Sequence, residues 1–296
     1  MNCLQSWPEP VVRVQSLSDS GIRAIPERYI KPLTDRPGLK TCSKIEEHVD
    51  IPVVDLQNLF GKDLALREET LRCISSTCRD WGFFQAVNHG VSHELMRRIR
   101  EVWRRFFSLP LEVKQGYANE PSTYEGYGSR LGVEKGAILD WSDYFFLHFM
   151  PVSSRNQSKW PAQPSSCREL VAEYGAEVVK LCGRLLKAMS TNLGLPEDYL
   201  QKAFGGEDIG ACLRVLSNGI YKSVEHRVIV NSAKDRVSLA FFYNPKSDLL
   251  IEPAKELVSK DRPALYNPMT FDEYRLYIRT KGPCGKAQVE SLKSNR

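Results

Sequence analysis

After Gly210 the apolar pattern of this chain changes period, and that change limits what the chain can fold into. Upstream, apolar residues recur at three- and four-residue spacing. Downstream they gather in short β-branched runs at 212–215, 220–230, 237–243 and 250–253. One face of a helix repeats every 3.6 residues and one face of a strand every two, so the halves must form different kinds of layer. The pattern predicts a helix-rich first part and a smaller β part, in 296 residues that suffice for one large domain or two ordinary ones.

The helical half can be divided further. Residues 1–49 are rich in Pro, Ser and charge, with Ile25-Pro-Glu-Arg-Tyr-Ile30 as the cohesive piece. Ile51-Pro-Val-Val-Asp-Leu56 reads as a short strand, its proline suited to a strand start. Leu71, Ile74, Cys78 and Trp81 mark an amphipathic helix, and Gly82-Phe-Phe-Gln-Ala-Val-Asn-His-Gly90 a strand entering a turn. Ser92 is placed to cap a helix carrying Leu95, Ile99, Val102, Trp103 and Phe106, stopped before Pro110. A capping box, Ser166-x-x-Glu169, opens a long helix through Leu170, Tyr174, Val178, Leu181, Leu185 and Met189, with a shorter helix over 197–204. A second box, Thr270-Phe-Asp-Glu273, starts a helix through Tyr274 and Ile278 that ends at Gly282-Pro283.

Composition narrows the function classes. With 42% hydrophobic residues the chain can bury a substantial core, and its net charge of +5 is modest. Arg97-Arg98-x-Arg100 and Arg104-Arg105 lie in the helical pattern, which predicts a solvated helix face rather than a nucleic-acid surface. No run reaches membrane-spanning length, and the N-terminus lacks a charged-then-apolar signal. Eight cysteines without a C-x-x-C pair read as free thiols in a reducing compartment. The expectation is a soluble cytoplasmic protein with no nucleic-acid or membrane partner.

The motifs, taken in order, resemble one family. Ile51-Pro-Val-Val-Asp-Leu56, Trp81-Gly-Phe-Phe-Gln-Ala-Val-Asn-His-Gly90, Trp141-Ser-Asp-Tyr-Phe145, Gly210-Ala-Cys-Leu-Arg-Val215, Leu216-Ser-Asn-Gly-x-Tyr-Lys-Ser-Val-Glu-His-Arg-Val228 and Arg236-x-Ser238 are similar to those of the plant 2-oxoglutarate- and Fe(II)-dependent dioxygenases, in the branch around leucoanthocyanidin dioxygenase. Within that family the chain most resembles the jasmonate-induced oxygenases, which hydroxylate and inactivate jasmonic acid. The resemblance implies an α+β protein: a double-stranded β-helix, or jelly-roll, behind a helix-rich N-terminal part. It implies an N-terminal extension over 1–49, a helix-rich region over 50–205, and a jelly-roll core with a C-terminal helix over 206–296. It also implies Fe(II) and 2-oxoglutarate as cofactors, O2 and jasmonate as small-molecule partners, and a monomer.

Residue roles carry over by position. The family centre uses two histidines and a carboxylate on one face of the iron, leaving room for O2 and substrate. His226 matches the last of these ligands. Arg236 and Ser238 match the residues that grip the far carboxylate of 2-oxoglutarate, a pairing suited to the two-pronged guanidinium. Arg214, Arg275 and Arg279 match positions that reach for the substrate carboxylate. Arg275 and Arg279, four residues apart, share one helix face, where Asp272 and Glu273 could equally balance them. Phe145, Phe146 and Phe241 are pocket walls or core aromatics.

The resemblance also breaks at one place. Between Gly210 and His226 there is no H-x-D pair; the chain passes from Val215 straight to Leu216. The family pattern implies roughly sixty residues missing there, about half the strands of an eight-stranded jelly-roll. A skipped exon is the natural source. The H-x-D at His48-Val49-Asp50 precedes the first strand and reads as a decoy, while His89 and His148 read as structural. A run at 220–230 without neighbours would leave N–H and C=O groups unpaired. Three readings follow: a family enzyme rendered impaired or inactive, a non-catalytic binding protein or decoy, or an oxygenase of another metabolite such as a flavonoid with substitute ligands.

Overall fold

The computed structural model describes residues 6–7, 9–10, 12–33, 36, 50–129, 135–203, 213–281 and 287–294, the side chains of 277–281 and 287–288 excepted. Its first well-formed unit is a parallel strand pair joined by a helix. Strand β1, Val53–Asp55, lies beside β2, Gln85–Val87, with Val54 opposite Ala86. Parallel neighbours need a long crossover, and helix α2, Leu64–Asp80, supplies it. Asp63 caps α2 by accepting the Ala65 and Leu66 N–H groups at 3.0 and 3.2 Å. Ile74 and Cys78 face the core from this helix. After β2 the chain turns through Asn88 and Gly90, both at positive φ, and the Asn88 amide donates to Asp55 at 2.8 Å.

Helix α3, His93–Phe107, is capped by the Ser92 hydroxyl, which accepts the Leu95 N–H. The stripe read from the sequence, Leu95, Ile99, Val102, Trp103 and Phe106, is the set it buries. Phe106 is fully buried and meets Phe145 edge to face at 5.0 Å. The opposite face carries the arginines in solvent, with Arg97 on Glu94 and Arg105 on Glu101. A short helix, α4 (Leu111–Gln115), follows Pro110. Strands β3, Gly126–Gly128, and β4, Tyr144–Phe146, pair antiparallel with Tyr127 opposite Phe145. Asp143, just before β4, accepts the Val14 and Gln15 N–H groups at 2.8 and 3.0 Å and the Tyr127 hydroxyl at 2.9 Å. It thereby ties helix α1, Val14–Asp19, to this pair.

Helix α5, Cys167–Asn192, is the spine: α2 and α3 both pack on it, and it contributes to both apolar clusters of the core. Its N-cap Ser166 makes no side-chain capping bond, so the first sequence box is not formed as such. The short helix α6, Tyr199–Ala203, packs back on α5.

Beyond α6 the expected strands are largely absent. Residues 213–215 of the 212–215 run form, with Leu216, a turn of helix, α7 (Leu213–Leu216), and Cys212 lies outside the described residues. The 220–230 and 237–243 runs contain neither strand nor bridge, and 220–221 form a bend. The cause is physical. Alternating β-branched residues favour an extended backbone, but a strand exists only when a neighbour supplies the ladder. The 250–253 run alone finds one, as β5 (Leu250–Ile251) against β6 (Met269–Thr270). Helix α8, Phe271–Lys281, then starts on a formed capping box. The Thr270 N–H donates to Glu273 at 2.7 Å and the Glu273 N–H donates back to the Thr270 hydroxyl at 3.2 Å. A last turn, α9 (Ala287–Glu290), follows.

The string Leu216-Ser-Asn-Gly-x-Tyr-Lys is a joint rather than a strand. Asn218, 1% exposed and at positive φ, accepts the Leu265 N–H at 2.8 Å and donates to the Pro263 carbonyl at 3.1 Å. The Tyr221 hydroxyl donates to the Met189 carbonyl of α5 at 3.1 Å. The Lys222 N–H donates to the Cys78 carbonyl at 2.9 Å, and its ammonium to the Asp80 carbonyl at 2.8 Å. Gly82, at φ 82°, lets this strip approach: a Cβ there would stand 2.6 Å from the Lys222 carbonyl oxygen.

Candidate functional site

Residues 223–248 run along one side of an open cleft of ≈ 3450 Å³. The other side includes Phe145, Phe146, His148 and Phe149. These aromatics serve as wall and core together. Phe145 stacks into the Trp103 and Phe106 cluster, Phe146 meets His148 edge to face at 4.9 Å, and Phe241 meets Phe149 at 5.8 Å. Near the cleft, Glu125 is buried and accepts the His148 N–H at 3.1 Å; burial pushes its carboxyl above the usual range.

His226 lies on the extended segment and is exposed. Its Nδ1 is 3.4 Å from the Val224 carbonyl, the edge of hydrogen-bonding range. Arg236 and Ser238 are brought together, Nη1 donating to the Ser238 hydroxyl at 2.9 Å, with both side chains in solvent. Side chains two apart on an extended chain share a side, so this contact follows from local conformation alone.

Arg214 and Arg275 both line the cleft and both have protein partners. Arg214 sits on α7 rather than on the expected first barrel strand. Its Nε donates to the Tyr266 hydroxyl at 2.8 Å, and a guanidinium nitrogen lies 3.7 Å from Glu290. Arg275 donates to Asp272 at 2.5 Å and to Ser247 at 3.2 Å, over the face of Phe271. Asp272 therefore balances Arg275, while Glu273 is spent on the cap. Arg279 belongs to α8, and its side chain lies outside the described residues, as does His48. His89 accepts the Val91 N–H at 3.1 Å, a turn-forming role.

Among the described residues, no group of three or more His, Cys, Asp and Glu side chains lies close enough to hold a metal ion. A ferrous ion binds weakly to any single imidazole and needs several anchored donors. Among the described residues, His226 therefore belongs to no such group.

Some important residues gave little sequence signal. Asp143 lies in a motif, but its hub role needs α1, β3 and β4 brought together. Lys114 is fully buried, donating to the Phe107 carbonyl at 2.7 Å and to Gln15; burial pulls its ammonium below the usual range. A lysine on a five-residue amphipathic turn gives no warning of that.

Comparison with known proteins completes the picture. Residues 51–163 match the N-terminal model described as "non-haem dioxygenase in morphine synthesis N-terminal", and 207–245 match the 2OG-Fe(II) oxygenase superfamily. The chain is 48% identical to jasmonate-induced oxygenase 3 of Arabidopsis thaliana, covering 100% of both chains. It is 31% identical to leucoanthocyanidin dioxygenase of Malus domestica, covering 88% of this chain and 93% of that one. The first alignment runs over 363 residues against 296 here, so it passes stretches with no counterpart in this chain. A crystal structure of JOX2 in complex with 2OG, Fe and JA superposes with a TM-score of 0.88 at 47% identity, covering 98% of this chain and 99% of that one. The fold is thus the α+β, double-stranded β-helix class with a reduced set of strands, and the cofactors of the family are Fe(II) and 2-oxoglutarate. The chain belongs to the plant 2-oxoglutarate- and Fe(II)-dependent oxygenases.

Proposed function

We propose that this chain derives from a 2-oxoglutarate-dependent hydroxylase of jasmonic acid and that, in its present form, it is catalytically impaired or inactive. The likeness to the JOX2 complex with 2OG, Fe and JA carries the first half of the reading. The exposed His226, which belongs to no group of three or more possible donors among the described residues, carries the second.

The residues present do not fit the family's iron. His226 is the remaining ligand of a set whose other histidine and carboxylate were lost with roughly half the strands of the jelly-roll. A deletion at the Val215–Leu216 seam accounts for this loss and for an alignment longer than the chain. The same deletion accounts for β-branched runs with no partners. Arg236 and Ser238 are the remnant of the 2-oxoglutarate anchor, and Arg214, Arg275 and Arg279 the remnant of the substrate-carboxylate site. The extension over 1–49, the helix-rich region over 50–205 and the reduced core over 206–296 are the units of this reading, in a cytoplasmic protein. No helix among the described residues is long and apolar enough to cross a membrane.

The test is turnover with an internal control. The purified chain is given Fe(II), 2-oxoglutarate, O2 and jasmonic acid, and succinate and hydroxylated product are measured. The expected result is no product above the protein-free control, and recovery when the corresponding segment of a jasmonate-induced oxygenase is inserted between Val215 and Leu216. Succinate and hydroxylated jasmonate from the chain without the insert would overturn the proposal.

A further inference from the structure

We infer that the C-terminal turn is a built-in competitor at the cleft: the Glu290 carboxylate occupies the guanidinium of Arg214 and is displaced when a small carboxylic acid binds there. The inference rests on reading Arg214 as the remnant of a carboxylate site, and adds that the chain supplies its own occupant.

The tail is placed by bonds of its own. Beyond α9, the Asn267 N–H donates to the Leu292 carbonyl and the Ser294 N–H to the Leu265 carbonyl, both at 3.1 Å, and Tyr266 bridges to Lys293. Val289 and Leu292 pack on the apolar cluster that includes Tyr266. Tyr266, 2% exposed, serves both partners: its main chain pairs with the tail, and its hydroxyl accepts the Arg214 Nε–H at 2.8 Å. The residue that orients the guanidinium therefore also orients the carboxylate facing it. Val289, Glu290 and Arg214 all line the cleft.

The pair is loose enough to exchange. Glu290 stands 3.7 Å from an Arg214 nitrogen, within ion-pair range and beyond a hydrogen bond, and the two side chains keep 42% and 22% exposure. A free carboxylate can take two guanidinium N–H bonds side by side at about 2.7–2.9 Å, closer than this contact. Lys293 also pairs with Glu290, so the carboxylate keeps a counter-charge when it leaves Arg214. Arg275 offers no such exchange, since it is bonded at 2.5 Å to Asp272 on its own helix.

Calorimetric titration of the purified full chain with jasmonic acid, without Fe(II) or 2-oxoglutarate, tests this. The parent is compared with Glu290→Gln and with the double variant Arg214→Ala/Glu290→Gln. Glutamine keeps the size of glutamate at a partly exposed position, so folding is not at stake. The dissociation constant should fall about fivefold in the Gln variant, because a competing charge is removed from the site. The gain should vanish in the double variant, and methyl jasmonate, which lacks the carboxylate, should show none. Equal affinity in the parent and the Gln variant, a gain that survives loss of Arg214, or no binding by any of the three would each overturn the inference. The readout is a ratio of dissociation constants without turnover, so it fails separately from the succinate assay that tests the proposed function.

Discussion

Helices α2, α3 and α5 and the stretch 222–246 are both rich in apolar residues; the helices bury theirs, while the stretch leaves Val228, Ile229, Val230, Leu239 and Phe242 exposed and buries Tyr243. Each helix satisfies its own backbone internally and needs a neighbour only for its apolar stripe, which α5 supplies to both partners. The extended stretch needs a neighbour for every N–H and C=O as well as for its side chains. Removing strands from the β part therefore leaves the helical part intact and the remaining strands without structure. Loss of sequence costs a β layer more than its share, because each missing strand also disables two that remain.

Amide hydrogen exchange is the strongest probe of that contrast. Interior amides of α5 should be protected at least about a thousandfold over those of 235–242, which should exchange near the unstructured rate. Equal protection would mean the extended stretch is paired. The same substitution in each region gives the next largest effect. Phe106→Ala, at a fully buried ring, should lower unfolding free energy by about 3–5 kcal/mol in a denaturant titration. Phe242→Ala, at a ring 70% exposed, should stay within about 0.5 kcal/mol. Asn218→Ala should cost about 2 kcal/mol, since the Leu265 N–H and Pro263 carbonyl lose a buried partner. Thermal melts should register that loss while α5 stays helical by circular dichroism. The smallest effect belongs to Asp63→Ala, which removes the cap of α2 at about 1 kcal/mol.

What the sequence revealed follows the same division. The stripe on α3 and its Ser92 cap, the two parallel strands, and the Thr270 to Glu273 box were readable because each is fixed by residues within one turn or one alternation. The runs over 220–230 and 237–243 read as strand-like from their β-branched residues and contain no strand, since pairing depends on segments far away in the chain; for 220–230 the lack of neighbours was itself expected. Ser166 failed as a cap although its spacing to Glu169 was right, and Asp63 succeeded without a partner at the third helical position. At the site, Arg236 and Ser238 were read as two grips on one carboxylate, and in the structure they bond to each other. The engagement of Arg214 by Tyr266 was not, because the sequence pattern placed Arg214 on a strand.

The clasp among Gly82, Tyr221 and Lys222 has a practical consequence. Because it fastens residues 221–222 to α2 and α5 by a main-chain bond, a tyrosine hydroxyl and a close glycine contact, the chain just downstream of Leu216 stays bound to the helical part whatever the runs beyond it do.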